Sequence, residues 1–236
     1  MEGGISVILV QFGVIFLAAL VHASLQLGLS ALLLLYHASL GKHIKKKTRK
    51  LASKYILGAT VLTALLVVAA AFTIFNLTGS KLPTEALTTL VVIMSVLSVV
   101  IWFFYYRSNK STELWLPKSV SKYINERAKI TDNNTEAFSL GMLATISEIV
   151  FSLILLVAAG DAILALPLIW QIAGVIFYTF ISILPLLVLR FCIRHGRTVV
   201  DVQRWRMKNK NFLKVMSGFG YITLAIFIVA FKIMGG

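Results

Sequence analysis

Cysteine is almost missing: the 236 residues include one, Cys192. A lone thiol excludes an internal disulfide and a dithiol redox pair, and it excludes a zinc–thiolate centre. Acidic residues are scarce as well, nine against 23 Lys and Arg, which leaves a formal net charge of +14. All charged residues together reach 14%, far below the roughly 25% of a soluble domain. The stretch 1–10 has Glu2 but no Lys or Arg. It therefore lacks the basic n-region of a secretory signal, and the first apolar segment is expected to stay. Also missing are a Gly-rich phosphate loop, a G-x-S-x-G elbow and an H-E-x-x-H zinc helix. No enzyme class is indicated.

What is abundant is apolar sequence, 58% of the chain with a mean hydropathy of +0.89. Six apolar segments stand out, at 5–40, 55–77, 85–106, 137–160, 164–191 and 213–233. Runs of 18 or more apolar residues read as membrane-spanning helices. The expected fold class is all-α, a polytopic membrane protein with six transmembrane helices in a single membrane domain, 1–236. The first segment would be roughly 54 Å long as one helix. It could instead be two short segments broken near Gly28, but no Pro or charge cluster interrupts it.

The charges are unevenly placed. Segments 41–54, 107–136 and 190–214 hold 21 of the 23 Lys and Arg, leaving only Lys81 and Lys232. Short cytoplasmic loops collect basic residues. Six helices put all three basic segments on one face, with both termini outside; seven would put the first on the wrong side. The expected location is the plasma (inner) membrane of a prokaryote. Orientation and attraction to anionic lipid at the basic face account for the charge, so no nucleic-acid partner is expected. Within the middle connector, Lys118 to Lys129 could form a short amphipathic helix. Lys232, near the outer end of the last helix, is expected to snorkel to the surface.

Three helices precede the connector 107–136 and three follow it, so any likeness between the repeats 5–106 and 137–236 is inverted. Inverted repeats are common in secondary transporters, with the site near the midplane between them. The first helix carries His22, Ser24, Gln26 and Ser30, and the fourth carries Thr145, Ser147 and Glu148. Gly141, Thr145, Glu148 and Ser152 recur at helical spacing on one face, as do Gln171, Gly174, Tyr178 and Ser182 of the fifth helix. Pro185 is expected to kink that helix.

Glu148 is read as the one acidic residue in the middle of a span. A bare carboxylate there costs several kcal/mol or stays protonated, and either suits proton coupling. His22 is its candidate partner, since imidazole changes charge near neutrality. The remaining candidates are substrate contacts at Ser24, Gln26, Ser30, Thr145, Ser147, Gln171 and Tyr178. Glu148 and His22 with Gln26 would give a divalent metal only two strong ligands, so no metal or other cofactor is expected.

Phe12 to Gly58 combines a helix with a polar midpoint, a basic turn and a second helix entered through Gly58; Phe138 to Ala144 opens the second half similarly. This arrangement resembles the LysE/CcdA-type transporter superfamily, built as two inverted three-helix repeats. The family's midpoint prolines are absent here, where His22-Ala-Ser24 and Ser147-Glu148 stand, and so are the cysteines of its redox branch. The resemblance implies movement of a small solute or ion. The expected function is a secondary transporter, proton-coupled through Glu148 and His22. Alternatives are an ion channel lined by helices 1, 4 and 5, a membrane-embedded enzyme with His22 and Glu148 as acid and base, or a scaffold. Small residues on helices 5 and 6 could face a second copy, giving a homodimer.

Overall fold

The computed structural model describes residues 2–25, 32, 35, 44–103, 118–195 and 198–234. Among them there is helix and no strand. The order is α1 (Glu2–Leu25), α2 (Ile44–Thr78), α3 (Thr84–Phe103), α4 (Lys118–Ile130), α5 (Asn134–Ser147), α6 (Ile149–Leu164), α7 (Leu168–Arg194), α8 (Val199–Lys208) and α9 (Lys210–Ile228), closed by a π-helical turn, Val229–Ile233. Five helices are long and apolar enough to cross a membrane, and six spans result if α5 and α6 count as one. That is the helix inventory of a multi-pass membrane protein.

The expected 55–77 span begins eleven residues sooner, because α2 starts at Ile44 and takes in the basic stretch read as a loop. Lys, Arg and Ala are good helix formers. Leu51, Ala52 and Tyr55 in that stretch are buried, so tertiary packing holds it. Of the first segment, the helix to Leu25 is described and Leu32 and Leu35 are buried; Gln26 and Ser30 lie outside the described residues. In the connector, α4 turns Ile124 and Ala128 inward and leaves Tyr123 exposed. The α7 helix runs on through Pro185 to Arg194.

The main departure is in the fourth segment. It is not one helix: α5 and α6 meet at Glu148 with an 80° bend. At about 1.5 Å per residue neither piece reaches the roughly 30 Å of a hydrocarbon core. Locally, the Ser147 hydroxyl turns back to donate to the Ala144 carbonyl at 2.6 Å, and the Glu148 amide donates to Thr145 at 3.2 Å, a tightened last turn. The α6 ladder then restarts, with Phe151 and Ser152 donating to the Glu148 carbonyl, each at 3.0 Å.

Two glycines set how α5 lies on α2. A Cβ at Gly58 would stand 2.1 Å from the Phe138 carbonyl oxygen, and one at Gly141 would stand 2.0 Å from that of Tyr55. Only a bare backbone allows this approach, the small-residue packing of membrane helices. The buried apolar residues form two groups. One gathers α1, α3, α6, α7, α9 and the later part of α2, with Ala18, Val67, Met94, Leu155 and Leu224; the other gathers the first part of α2, α4, α5 and the end of α7, with Ala52, Ile124, Leu140 and Leu189. The break at Glu148 lies between them, since Ala144 belongs to the second and Phe151 to the first.

The starts of α2 and α5 adjoin, through Gly58 and Phe138, with an exposed Lys47–Asp132 ion pair nearby, and the end of α7 packs there too. The described parts of the three basic segments therefore gather at one end of the bundle. At the opposite end, the α2–α3 link, the last turn of α6 and the π-helical turn converge on Asp161.

Candidate functional site

Four elements bring polar side chains together where the two cores meet. His22, three residues before the described end of α1, is 1% exposed. Its Nδ1 is joined to the Tyr178 hydroxyl of α7 at 2.8 Å. Its Nε2 stands 3.8 Å from Oε2 of Glu148, within ion-pair range but longer than a hydrogen bond. The two ring nitrogens thus face a phenol on one side and a carboxyl on the other, and the tautomer decides which of them donates. Tyr55 of α2 is wholly buried and packs by its backbone on Gly141, two turns before Glu148. The Gly141 contact holds it there, because its carbonyl is the atom on which that glycine rests.

Ser152, one turn into α6, is 1% exposed and its Oγ has no hydrogen-bond partner. Buried hydroxyls ordinarily find one. The Tyr221 hydroxyl of α9 donates to the Phe151 carbonyl at 2.8 Å, which fixes the first turn of α6 against α9.

This geometry can hold a proton and pass it on. Glu148 and the imidazole each accept one, and a shift of about 1 Å would turn the 3.8 Å separation into a hydrogen bond. Glu148 is also the residue at which α5 and α6 meet, so the carboxyl and the bend belong to one residue.

The other sequence candidates sit differently. Thr145 is buried, and its hydroxyl donates to the Gly141 carbonyl at 3.1 Å. Ser147 spends its hydroxyl on Ala144. Ser24 is exposed and donates to Val21 at 2.7 Å. Gln171 donates to the Leu166 carbonyl at 3.0 Å, in the first turn of α7. That is about 10 Å along the helix from Tyr178. The structure therefore brings His22, Glu148 and Tyr178 together, while Ser24, Ser147 and Gln171 satisfy backbone carbonyls near themselves. Gln26 and Ser30 lie outside the described residues.

Sequence reasoning passed over Tyr55, which stood at the assumed start of a span. It also misplaced Lys232. That side chain does not reach the surface; it is 8% exposed and paired with the buried Asp161. Burial is possible because the carboxylate supplies the charge that an isolated ammonium would lack.

Among the described residues, no group of three or more His, Cys, Asp or Glu comes together that could hold a metal ion. No family model, curated protein or solved structure matches the chain.

Proposed function

We propose that this protein is a secondary transporter, not an enzyme, and that it moves a small solute or ion with proton coupling through Glu148 and His22. The observation that carries the reading is Glu148 itself: a buried carboxyl at the 80° break of a span, with an imidazole 3.8 Å away. Polar and ionisable groups at membrane depth mark ion or proton paths. Broken helices at membrane depth are where transporters build their sites.

In this mechanism a proton reaching Glu148 cancels the carboxylate charge and weakens its hold on His22. The α5–α6 angle is then free to change, and one repeat rocks against the other. Tyr178 fixes the far side of the imidazole and so decides which nitrogen faces Glu148. Thr145, in the last turn of α5, and Ser152, in the first turn of α6, flank Glu148 as contacts for the solute.

The proposed architecture is two inverted repeats, 5–106 and 137–236, in the manner of the LysE/CcdA-type superfamily. The pattern of packed pairs supports it. When the halves are exchanged, α1 on α7 answers to α5–α6 on α2, and α1 on α9 answers to α6 on α3. The pairs α1/α6, α2/α7 and α3/α9 pack on their own counterparts. The basic end would be cytoplasmic, against anionic lipid, with both termini outside, in a prokaryotic plasma membrane.

The test is uptake and charge movement in proteoliposomes under imposed pH steps, with a panel of small cations, amino acids and divalent metals. Saturable, pH-driven transport that is lost in Glu148→Gln is the expected result. Full coupled transport by Glu148→Gln would remove the assigned role.

A further inference from the structure

Asp161 and Lys232 take no part in the site around Glu148, yet they form the most deeply buried pair of fixed charges among the described residues. Asp161 lies in the last turn of α6 and both of its oxygens are engaged. Oδ1 accepts the Leu82 N–H of the α2–α3 link at 2.7 Å, and Oδ2 is in direct contact with the Lys232 ammonium. Lys232 comes from the π-helical turn, where the Met234 amide reaches back to Val229 at 3.0 Å. Single π turns within helices re-aim side chains and occur often at functional sites. One carboxylate thus ties together three segments far apart in sequence, at the end of the bundle away from the basic residues.

A buried ion pair is a poor choice for plain stability, because well-packed apolar residues in its place often hold as well or better. It differs from an apolar seal in how it opens. When water enters, both ions regain hydration, so the open and closed arrangements stay close in free energy. A seal of leucines exposes apolar surface instead, at roughly 25 cal/mol per Å². The same helix carries both ends of the device: Glu148 begins α6 and Asp161 lies about 20 Å further along it. A swing of α6 about its hinge moves Asp161 as the end of a lever.

We propose that the Asp161–Lys232 pair, together with the Leu82 amide, is the gate that closes the bundle at the end opposite the basic segments, and that the swing of α6 about Glu148 opens it. This rests on the transporter reading for its purpose, but its test does not require a known solute. A cysteine is placed at Ser152 in a Cys192→Ser background, and the protein is reconstituted in liposomes. A membrane-impermeant thiol reagent is then added from the side opposite the basic segments. The double variant Asp161→Asn/Lys232→Met removes the pair without stranding a charge and keeps an acceptor for Leu82. It should label at least about tenfold faster than the parent, while Lys232→Arg labels at the parent rate. Asp161→Asn/Lys232→Gln, which also strands no charge and keeps a polar side chain on each side, should give a smaller increase, and it takes the place of the first double variant if that does not fold. An unchanged labelling rate in the folded double variant, or in Asp161→Asn/Lys232→Gln in its place, overturns the gate whatever the transport result. If labelling accelerates but the wild type carries no solute in the proteoliposome panel, the gate stands and the transporter reading falls.

Discussion

Two buried carboxyls among the described residues, Glu148 and Asp161, stand at the two ends of α6 and differ in construction. Asp161 is saturated: a fixed ammonium on one oxygen and a backbone amide on the other. Glu148 stands 3.8 Å from a ring whose charge depends on protonation, at a backbone break rather than inside a helix. A carboxylate held by a fixed ammonium and a backbone amide changes state when the contact is pulled apart. A carboxyl beside an imidazole has a partner that can exchange a proton with it, which is the role proposed for Glu148. The comparison teaches that burial alone does not distinguish a switch from a latch; the permanence of the partner does.

The strongest way to break the comparison is to remove one partner from each pair. Lys232→Met leaves Asp161 buried with only the Leu82 amide and should cost about 3–5 kcal/mol, read as thermal unfolding in detergent. Glu148→Gln keeps shape and polarity and should cost no more than about 1 kcal/mol while abolishing coupling. Equal losses of stability would show that both pairs are structural. A somewhat smaller effect is expected from Gly141→Ala, whose new Cβ must push α5 off the Tyr55 carbonyl. Overpacking of this kind costs about 1–3 kcal/mol, and it should impair transport beyond the loss of folded protein, since it shifts α5, which ends at Glu148.

Two tyrosines sharpen the contrast at equal chemistry. Tyr178→Phe and Tyr221→Phe each remove one buried hydroxyl, and each should cost about 1 kcal/mol. Only Tyr178→Phe should shift the pH profile of transport, because its hydroxyl meets His22 whereas that of Tyr221 meets the Phe151 carbonyl. A profile shifted equally by both would contradict the assignment. The smallest change in stability is expected for Ser152→Ala. Its hydroxyl has no partner to lose, so unfolding should move by less than about 0.5 kcal/mol, while solute affinity falls if the hydroxyl is a contact.

Much of this was readable in the sequence, for identifiable reasons. Long apolar runs announce spans, and a lone Glu148 or His22 within one stands out against its surroundings. The break at Glu148 was not readable, because Ile146-Ser147-Glu148-Ile149 contains neither Gly nor Pro. It arises from packing between two cores and from a serine that satisfies its own turn. The start of α2 was hidden because basic residues signal a loop by charge and a helix by propensity, and buried Leu51 and Tyr55 settled the matter. Lys232 looked like a snorkelling charge, and Asp161 fell between the expected spans 137–160 and 164–191. Matching two lone opposite charges at the same end of their spans would have suggested the pair. Ser24 and Ser147 each donate to a carbonyl of their own helix, as hydroxyls in helices commonly do.

The most direct measurement is infrared difference spectroscopy of the reconstituted protein across a pH titration, comparing wild type with Glu148→Gln. A protonated-carboxyl band that rises and falls with pH in the wild type and is missing from Glu148→Gln is the predicted result. A titration with no Glu148-dependent carboxyl band would contradict the claim that this residue carries the proton.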